Sequence, residues 1–155
     1  MSSQTQTAGI ILAAGASVRF GQLKQLIRLR GKYLVEWVLD AALKSRLDIV
    51  VLVLGHEYQS ILQALGAKAR HPQLEVVINH RYREGQSSSL KAGLKSVQQE
   101  YSSVMYLLGD QPMINSNTIN HLLGQVRESE KDIWVPVFEG KKVIRLFSDG
   151  RFMMN

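Results

Sequence analysis

A short loop near the N-terminus carries the residues whose types and spacing most clearly suggest chemistry. An apolar segment runs into Gly15, and the loop after it carries two cationic side chains, Arg19 and Lys24. Small residues at Ala13, Ala14 and Gly15 allow a polyphosphate to approach the backbone, whose N–H groups can then donate hydrogen bonds to it. The two cations would lie where phosphate charge collects. We therefore expect this loop to bind a nucleotide.

Two common phosphate-binding loops fit this segment less well. A Walker A loop places Gly-Lys-Ser/Thr four residues after its first glycine, whereas five residues separate Gly15 from Gly21, and Lys24 is followed by Gln25. The dinucleotide fingerprint also fails, because only Gly15 of its three glycines is in register and no acidic residue ends the next strand. The loop is therefore of another type.

The segment over residues 12–24 resembles the Leu-Ala-Ala-Gly-x-Ser-x-Arg-x-Gly-x-x-Lys signature of MobA-like nucleotidyltransferases. Within that family it is most similar to the molybdenum cofactor cytidylyltransferases. Every fixed position is met, from Leu12 through Ser17, Arg19 and Gly21 to Lys24. The resemblance covers about residues 9–140, and residues 143–155 form an atypical tail on a single domain of residues 1–155.

A second polar segment over residues 79–90 runs from a strand end into a hydroxyl-rich helix start. Asn79 and the backbone from Gly85 to Ser89 could hydrogen-bond a base edge and a ribose, and serines there can cap the helix. The resemblance implies that this Asn-x-x-aromatic-x-x-Gly segment helps to build the nucleotide site, and Asn79, Gly85 and Ser88 or Ser89 match it. The alternative is a capped helix whose serines bind no ligand.

A third segment, Gly109-Asp110-Gln111-Pro112, ends a buried strand with a carboxylate. A lone Asp at such a place is often a turn residue or a helix cap. Beside a triphosphate loop it is also where Mg²⁺ would be held, because magnesium takes one or two carboxylates together with phosphate oxygens. Gly-Asp-Gln-Pro is the form of this element in the cytidylyltransferase branch, so the resemblance implies Asp110 as the metal ligand.

The resemblance implies an enzyme that transfers CMP, or another nucleoside monophosphate, from an NTP to the phosphate of molybdopterin or the molybdenum cofactor. CTP is the preferred donor, and pyrophosphate is released. Lys24, Arg19 and Asp110 are the implied catalytic residues, with Asp110 binding Mg²⁺ as the cofactor. The implied nucleotide-binding residues are Leu12, Ala13, Ala14, Gly15, Ser17, Lys24, Asn79, Gly85, Ser88, Ser89 and Gly109.

The elements that must position these residues alternate along the chain. Apolar runs predict strands at 8–13, 49–54, 75–79, 103–108 and 133–137, and amphipathic periodicity predicts helices at 34–44, 58–65, 87–99 and 116–129. This order indicates an α/β fold, a Rossmann-like three-layer sandwich with a mostly parallel sheet and helices on both faces. The resemblance narrows it to the nucleotide-diphospho-sugar transferase type. Ligands of such sheets bind at the carboxyl ends of the strands, where all three polar segments lie.

Length, composition and charge limit the number of domains and the kinds of partner that we expect. A chain of 155 residues with no cysteine and a net charge of +6 is typical of one domain without disulfides that binds anionic partners. Nucleic-acid motifs, a signal peptide and an apolar run of about 20 residues are absent from the sequence. We therefore expect a cytoplasmic protein that binds neither nucleic acid nor membrane.

The C-terminal tail departs from the resembled family, which normally continues with Gly-(Asn or His)-Pro-Val, more helix and a second metal-binding carboxylate. Codons permitted for the tail, read one base earlier, can spell Gly-Asn-Pro-Val. We interpret this as a frameshift near Lys142 that replaced the C-terminal part. The nucleotide sequence tests it, since codons incompatible with that reading would exclude it. A short tail would leave sheet or helix surface uncovered and favour a homodimer.

Two alternatives to the transferase reaction stay open. The chain could be a nucleotide-binding module with little or no turnover, since the second carboxylate is missing. It could also be a related sugar-phosphate nucleotidyltransferase, which Gly-Asp-Gln-Pro makes the weaker alternative.

Overall fold

The computed structural model describes residues 5–16, 18–19 and 21–127 and four short strands between residues 133 and 148. Side chains are described for residues 5–16 and 21–126.

A six-stranded sheet forms the centre of the protein. Four strands are parallel: β1 (Thr7–Ala13), β2 (Ile49–Leu54), β3 (Leu74–Ile78) and β4 (Ser103–Leu108). β5 (Ile133–Trp134) and β6 (Arg145–Ser148) complete the order β3-β2-β1-β4-β6-β5, in which β6 pairs antiparallel with both β4 and β5. β1 is buried along its whole length, as expected for a central parallel strand covered on both faces.

The helices α1 (Leu34–Lys44), α2 (Tyr58–Leu65), α3 (Gln86–Val97) and α4 (Ser116–Arg127) cover the sheet in two layers. One core cluster packs α1, α2 and α4 against the face to which Ile11 contributes. The other packs α3 against the face of Ile10. Successive strand residues point to opposite faces, so apolar runs are needed to fill both layers. The predicted α/β three-layer sandwich is confirmed.

Short elements connect these layers. Single-turn helices and two-residue strand pairs occur at Lys24–Leu26, Gly66–Arg70, Tyr82–Glu84, Val18–Arg19 with Gln22–Leu23, Arg28–Leu29 with Lys32–Tyr33, and Val137–Phe138 with Lys141–Lys142.

The two helix starts near the strand ends are built differently. The Asn115 side chain accepts a hydrogen bond from the Thr118 N–H at 2.9 Å and so caps the start of α4. The predicted serine cap of α3 is wrong, because the helix already begins at Gln86 and its N-cap residue is Gly85. Gly85 has φ 102°, a backbone conformation that favours glycine. The serines therefore lie inside the first turn of α3.

The C-terminal part differs most from the sequence prediction. The strand predicted at 133–137 is only Ile133–Trp134, and it pairs antiparallel with β6. β6 lies in the tail for which no pattern was predicted, and it pairs with β4 from Ser103 to Tyr106. β4 thus has a neighbour on both sides, and the uncovered sheet edge expected from a short tail does not occur there.

The described helices include none that combines the length and the apolar character needed to cross a membrane.

Candidate functional site

A cavity of about 310 Å³ opens where the carboxyl ends of β1 and β4 meet the first turn of α3. It brings together most of the residues predicted from the separate polar segments. Its lining residues are Leu12, Ala13, Ala14, Gly15, Lys24, Gln25, Tyr82, Gly85, Gln86, Ser89, Leu108 and Asp110.

The loop after β1 has its carbonyl groups bound and its amides open. The Gln25 Nε2 donates to the carbonyls of Ala13 and Gly15 at 3.0 and 3.1 Å, and the His56 N–H donates to the carbonyl of Ala14 at 3.3 Å. Among the described residues, no acceptor takes a hydrogen bond from the N–H groups of residues 14–16. Successive free amides of this kind form an anion-binding concavity.

Lys24 and Asp110 meet across the mouth of the cavity. The Lys24 Nζ lies 2.6 Å from the Asp110 Oδ2, and the two side chains are 36% and 33% exposed. A partly exposed ion pair stabilises a fold by only about 0–1 kcal/mol, so a ligand with stronger charges can replace it. The arrangement places one cation and one carboxylate beside the open amides.

Gly109 acts as a spacer in this site rather than as part of the cavity wall. Its N–H donates to the Leu12 carbonyl at 3.0 Å. A Cβ at this position would lie 2.9 Å from the Ala13 Cβ and 3.1 Å from the Leu12 carbonyl oxygen. Only a glycine therefore lets the end of β4 approach β1 closely enough to bring Asp110 to Lys24.

Asn79 contacts the first turn of α3 through side-chain hydrogen bonds. It is 5% exposed, and its Nδ2 donates to the hydroxyls of Ser88 and Ser89 at 2.9 and 3.0 Å. Its Oδ1 accepts a hydrogen bond from the Arg81 N–H at 3.0 Å. Both ends of the Asn79 amide thus have partners within the protein, and its contact with a base stays a prediction.

The two serines that Asn79 binds differ in placement. Ser89 is buried and lines the cavity. Ser88 lies outside the cavity wall, where its one hydroxyl proton can be donated to the carbonyl of Arg81 or of Gly85, which lie 2.9 and 2.8 Å from its Oγ. Only Ser89 of this pair is placed to contact a ligand in the cavity.

Four residues of the wall were not among the predicted site residues: Gln25, Tyr82, Gln86 and Leu108. The Tyr82 hydroxyl lies 3.2 Å from the His56 Nδ1, which fixes the ring at the edge of the cavity. Tyr82 occupies the aromatic position of the segment after Asn79, so a signal was present. Gln25 carried no signal beyond its place next to Lys24.

Two predicted residues lie at the edge of what is described. Ser17 lies outside the described residues. The backbone of Arg19 pairs with Gln22 in a two-residue strand, and its side chain is not among those described. Their roles stay predictions.

Asp110 and the open amides fit a magnesium-bound polyphosphate. Within the described part of the chain, no group of three or more His, Cys, Asp or Glu side chains could hold a metal by itself. A single carboxylate beside a phosphate site is the donor set that Mg²⁺ accepts, because it keeps several waters and takes further oxygens from phosphates. Asp110 would supply the protein ligand.

Several known proteins are similar to this chain in sequence. In sequence, the chain is 34% identical over 116 residues to nicotine blue oxidoreductase of Paenarthrobacter nicotinovorans, covering 74% of this chain and 54% of that protein. It is 32% identical over 126 residues to purine catabolism protein PucB of Bacillus subtilis, covering 78% and 61%. It is 28% identical over 137 residues to a probable molybdenum cofactor guanylyltransferase of Bacillus cytotoxicus, covering 87% and 64%. The chain thus spans less than two thirds of each of these relatives.

Solved structures of known proteins superpose on this fold. Rv0371c of Mycobacterium tuberculosis superposes with a TM-score of 0.81 at 27% identity, covering 97% of this chain and 75% of that one. A complex of the same protein with manganese gives a TM-score of 0.73 at 25% identity, covering 93% and 71%.

The family model of the MobA-like NTP transferase domain matches residues 9–152. The match extends beyond residue 140 and includes most of the C-terminal tail, for which no family pattern was predicted. With nearly the whole chain matched, the protein belongs to the MobA-like NTP transferase domain family.

Proposed function

We propose that this protein is a nucleotidyltransferase that moves a nucleoside monophosphate, CMP from CTP, onto the phosphate of molybdopterin or the molybdenum cofactor. The observation that carries the proposal is the convergence, in one cavity, of Ala14 and Gly15, whose amides are open, with Lys24 and Asp110.

The reaction is a displacement at phosphorus. A phosphate oxygen of the acceptor attacks the α-phosphorus of CTP, and the bond from that phosphorus to the oxygen bridging to the β-phosphate breaks. Both electrons of that bond leave with pyrophosphate, and the acceptor phosphate becomes joined to CMP. Catalysis of this kind depends on positioning and on neutralising charge.

The residues of the chain divide these tasks. The amides of residues 14–16 bind phosphate oxygens, and Lys24 stabilises the charge that grows on the leaving pyrophosphate. Ser89 and the backbone at Gly85 line the opposite wall, where the nucleoside would lie. Arg19 adds a second cation in this proposal.

Mg²⁺ held by Asp110 would neutralise phosphate charge and orient the triphosphate. A solved relative of the fold is a complex with manganese, which supports a divalent ion in proteins of this architecture.

The acceptor and the base are the finer parts of the proposal. Support for a molybdenum cofactor acceptor comes from the relatives named probable molybdenum cofactor guanylyltransferase. Support for CTP comes from the Gly-Asp-Gln-Pro form of the segment around Asp110. Other relatives carry the names nicotine blue oxidoreductase and purine catabolism protein, so family membership alone does not choose the acceptor.

The test is calorimetric titration with CTP, GTP and ATP in the presence of Mg²⁺, followed by measurement of pyrophosphate release with molybdopterin added. We expect CTP to bind most tightly and pyrophosphate to appear only with acceptor. Preference for GTP would contradict the cytidylyl assignment, and failure to bind any NTP would refute the proposal as a whole.

A nucleotide-binding module without turnover is the second candidate. The observation that favours it is that Asp110 is the one carboxylate among the described residues lining the cavity. Binding of CTP without pyrophosphate release would support the module. The proposal also includes a cytoplasmic location and a homodimer, which cell fractionation and sedimentation velocity would test.

A further inference from the structure

We propose that Gln25 is a positioning residue that sets the phosphate-binding conformation of the loop after β1. The inference rests on the proposed function, since it concerns the same cavity. It assigns a role to a side chain that the signature of this loop, which ends at Lys24, does not include.

The Gln25 side chain is held in one orientation. It is only 6% exposed, and both hydrogen bonds of its Nε2 go to backbone carbonyls, those of Ala13 and Gly15. A primary amide nitrogen has two N–H donors, so both are used. Turning the amide over would place its oxygen against two carbonyl oxygens, which excludes the alternative assignment.

These two bonds determine where the loop amides point. In a trans peptide the C=O and the following N–H point in opposite directions, and no cis peptide is present among the described residues. Binding the Ala13 carbonyl therefore turns the Ala14 N–H away from Gln25, and binding the Gly15 carbonyl does the same for Ala16. The His56 N–H holds the Ala14 carbonyl and so directs the amide of Gly15.

The oxygen of the same side chain indicates that the arrangement is not kept for stability. The Gln25 Oε1 is buried and has no hydrogen-bond partner among the described residues. An acceptor left unpaired in this way disfavours the folded state, and such groups in folded proteins call for a functional reason. We attribute its presence to the two donors, which no apolar side chain could replace.

The position of Gln25 in the chain couples two parts of the site. It directly follows Lys24 in the single-turn helix Lys24–Leu26. The segment that delivers the cation to the cavity is thus also the segment that orients the amides. A phosphate group would meet both in a fixed relation to each other.

The experiment compares Gln25→Met with Gln22→Met. Gln22 is exposed and does not line the cavity, so the second variant makes the same chemical change outside the site. Both variants and the wild type are titrated with CTP and with inorganic tripolyphosphate, and their thermal midpoints are measured. We expect Gln25→Met to bind both ligands about tenfold more weakly or worse, and Gln22→Met to bind them as the wild type does.

The ligand pair and the midpoint separate positioning from general damage. Equal loss for CTP and tripolyphosphate supports the inference, because the loop binds phosphate and not the base. Unchanged affinity in Gln25→Met would overturn the inference. A lowered midpoint in Gln25→Met, together with the same loss of affinity in Gln22→Met, would also overturn it. If the wild type itself binds neither ligand, the proposed function fails first and separately.

A measurement on the wild type covers the case in which Gln25→Met does not fold. The side-chain NH₂ protons of Gln25 should be protected from solvent exchange and should shift when tripolyphosphate is added. Rapid exchange of both protons would refute the two hydrogen bonds on which the inference depends.

Discussion

Replacing Lys24 by methionine is the sharpest perturbation of the proposed phosphate site. The change removes one positive charge and three N–H donors but keeps a side chain of similar length. In the ligand-free protein the ammonium group is 2.6 Å from the Asp110 carboxylate, so it is already paired before any nucleotide arrives. The net affinity that Lys24 contributes is therefore its attraction to the phosphate groups minus its attraction to the Asp110 carboxylate.

The structure sets the size of that difference. Two unit charges 4 Å apart attract by about 4 kcal/mol at an effective dielectric constant of 20, and the lost pairing with Asp110 offsets part of this. A hydrogen bond to a charged group has a net value of about 1.5–3 kcal/mol. We therefore expect the Kd for CTP with Mg²⁺ to rise roughly 10- to 150-fold in Lys24→Met.

The stability of the same variant should change little. An ion pair with both side chains about one third exposed contributes about 0–1 kcal/mol. For a chain of this length that corresponds to a fall in Tm of at most about 4 °C. A large loss of affinity with a small loss of stability is the expected signature of a ligand-binding lysine.

The assay is calorimetric titration of the wild type, Lys24→Met and Lys44→Met at one fixed salt concentration. Lys44 ends α1, is exposed and does not line the cavity, so its removal makes the same change in net charge. We expect Lys44→Met to bind CTP nearly as the wild type does. An equal loss in both variants, or none in Lys24→Met, would show that net charge or another site accounts for binding.

Three further predictions use the same cavity and its surroundings. Asp110→Asn should abolish the increase in CTP affinity on adding Mg²⁺ and should strengthen metal-free binding, because Lys24 loses a competing partner. Titrations with EDTA and with Mg²⁺ measure both effects. An intact response to Mg²⁺ would exclude Asp110 as the metal ligand. Gly109→Ala should lower the free energy of unfolding by about 1–3 kcal/mol through overpacking. Gly124 lies in an exposed turn of α4 and has no atom within 4 Å of the new Cβ, so Gly124→Ala should raise the free energy of unfolding by up to about 1 kcal/mol. Urea unfolding compares the two variants, and equal effects would contradict the close approach at Gly109. Burial raises the pKa of the Tyr106 hydroxyl to about 12, so above about pH 10 the unfolded chain loses a proton that the folded chain keeps. The free energy of unfolding should therefore fall between about pH 10 and 12, and Tyr106→Phe should reduce that fall, while an unchanged profile would argue against a buried hydroxyl.

Much of the site could be predicted because parallel strands all end at one edge of their sheet. Residues that follow β1 and β4 in the sequence had to lie near one another once those strands were parallel neighbours. Lys24 and Asp110 were predicted on that basis to serve one ligand. Their placement in the same cavity confirms that they face the same side of the molecule.

The missed residues depend on side chains that reach across the fold. Gln25 contacts the carbonyl of Ala13, twelve residues earlier, and no periodicity or motif records such a reach. For Asn79 the sequence showed a polar side chain at a strand end, but not that α3 and the Arg81 N–H would occupy the two ends of its amide. Hydrogen-bond partners are set by packing, which spacing alone does not specify.

The C-terminal strands were the least predictable part of the fold. β5 is two residues long, and its pairing partner β6 lies beyond an intervening strand pair, Val137–Phe138 with Lys141–Lys142. Short antiparallel pairings of this kind have no apolar run of their own to announce them. The frameshift interpretation of this segment stays a prediction for the nucleotide sequence to test.

A crystal structure of the protein with CTP and Mn²⁺, with the ion located by anomalous scattering, tests the central claim most directly. We expect the triphosphate to contact the amides of residues 14–16 and the Lys24 ammonium, with the manganese peak on the Asp110 carboxylate and the Lys24–Asp110 ion pair broken. A nucleotide bound elsewhere, or one bound with that ion pair intact and no metal at Asp110, would contradict the account.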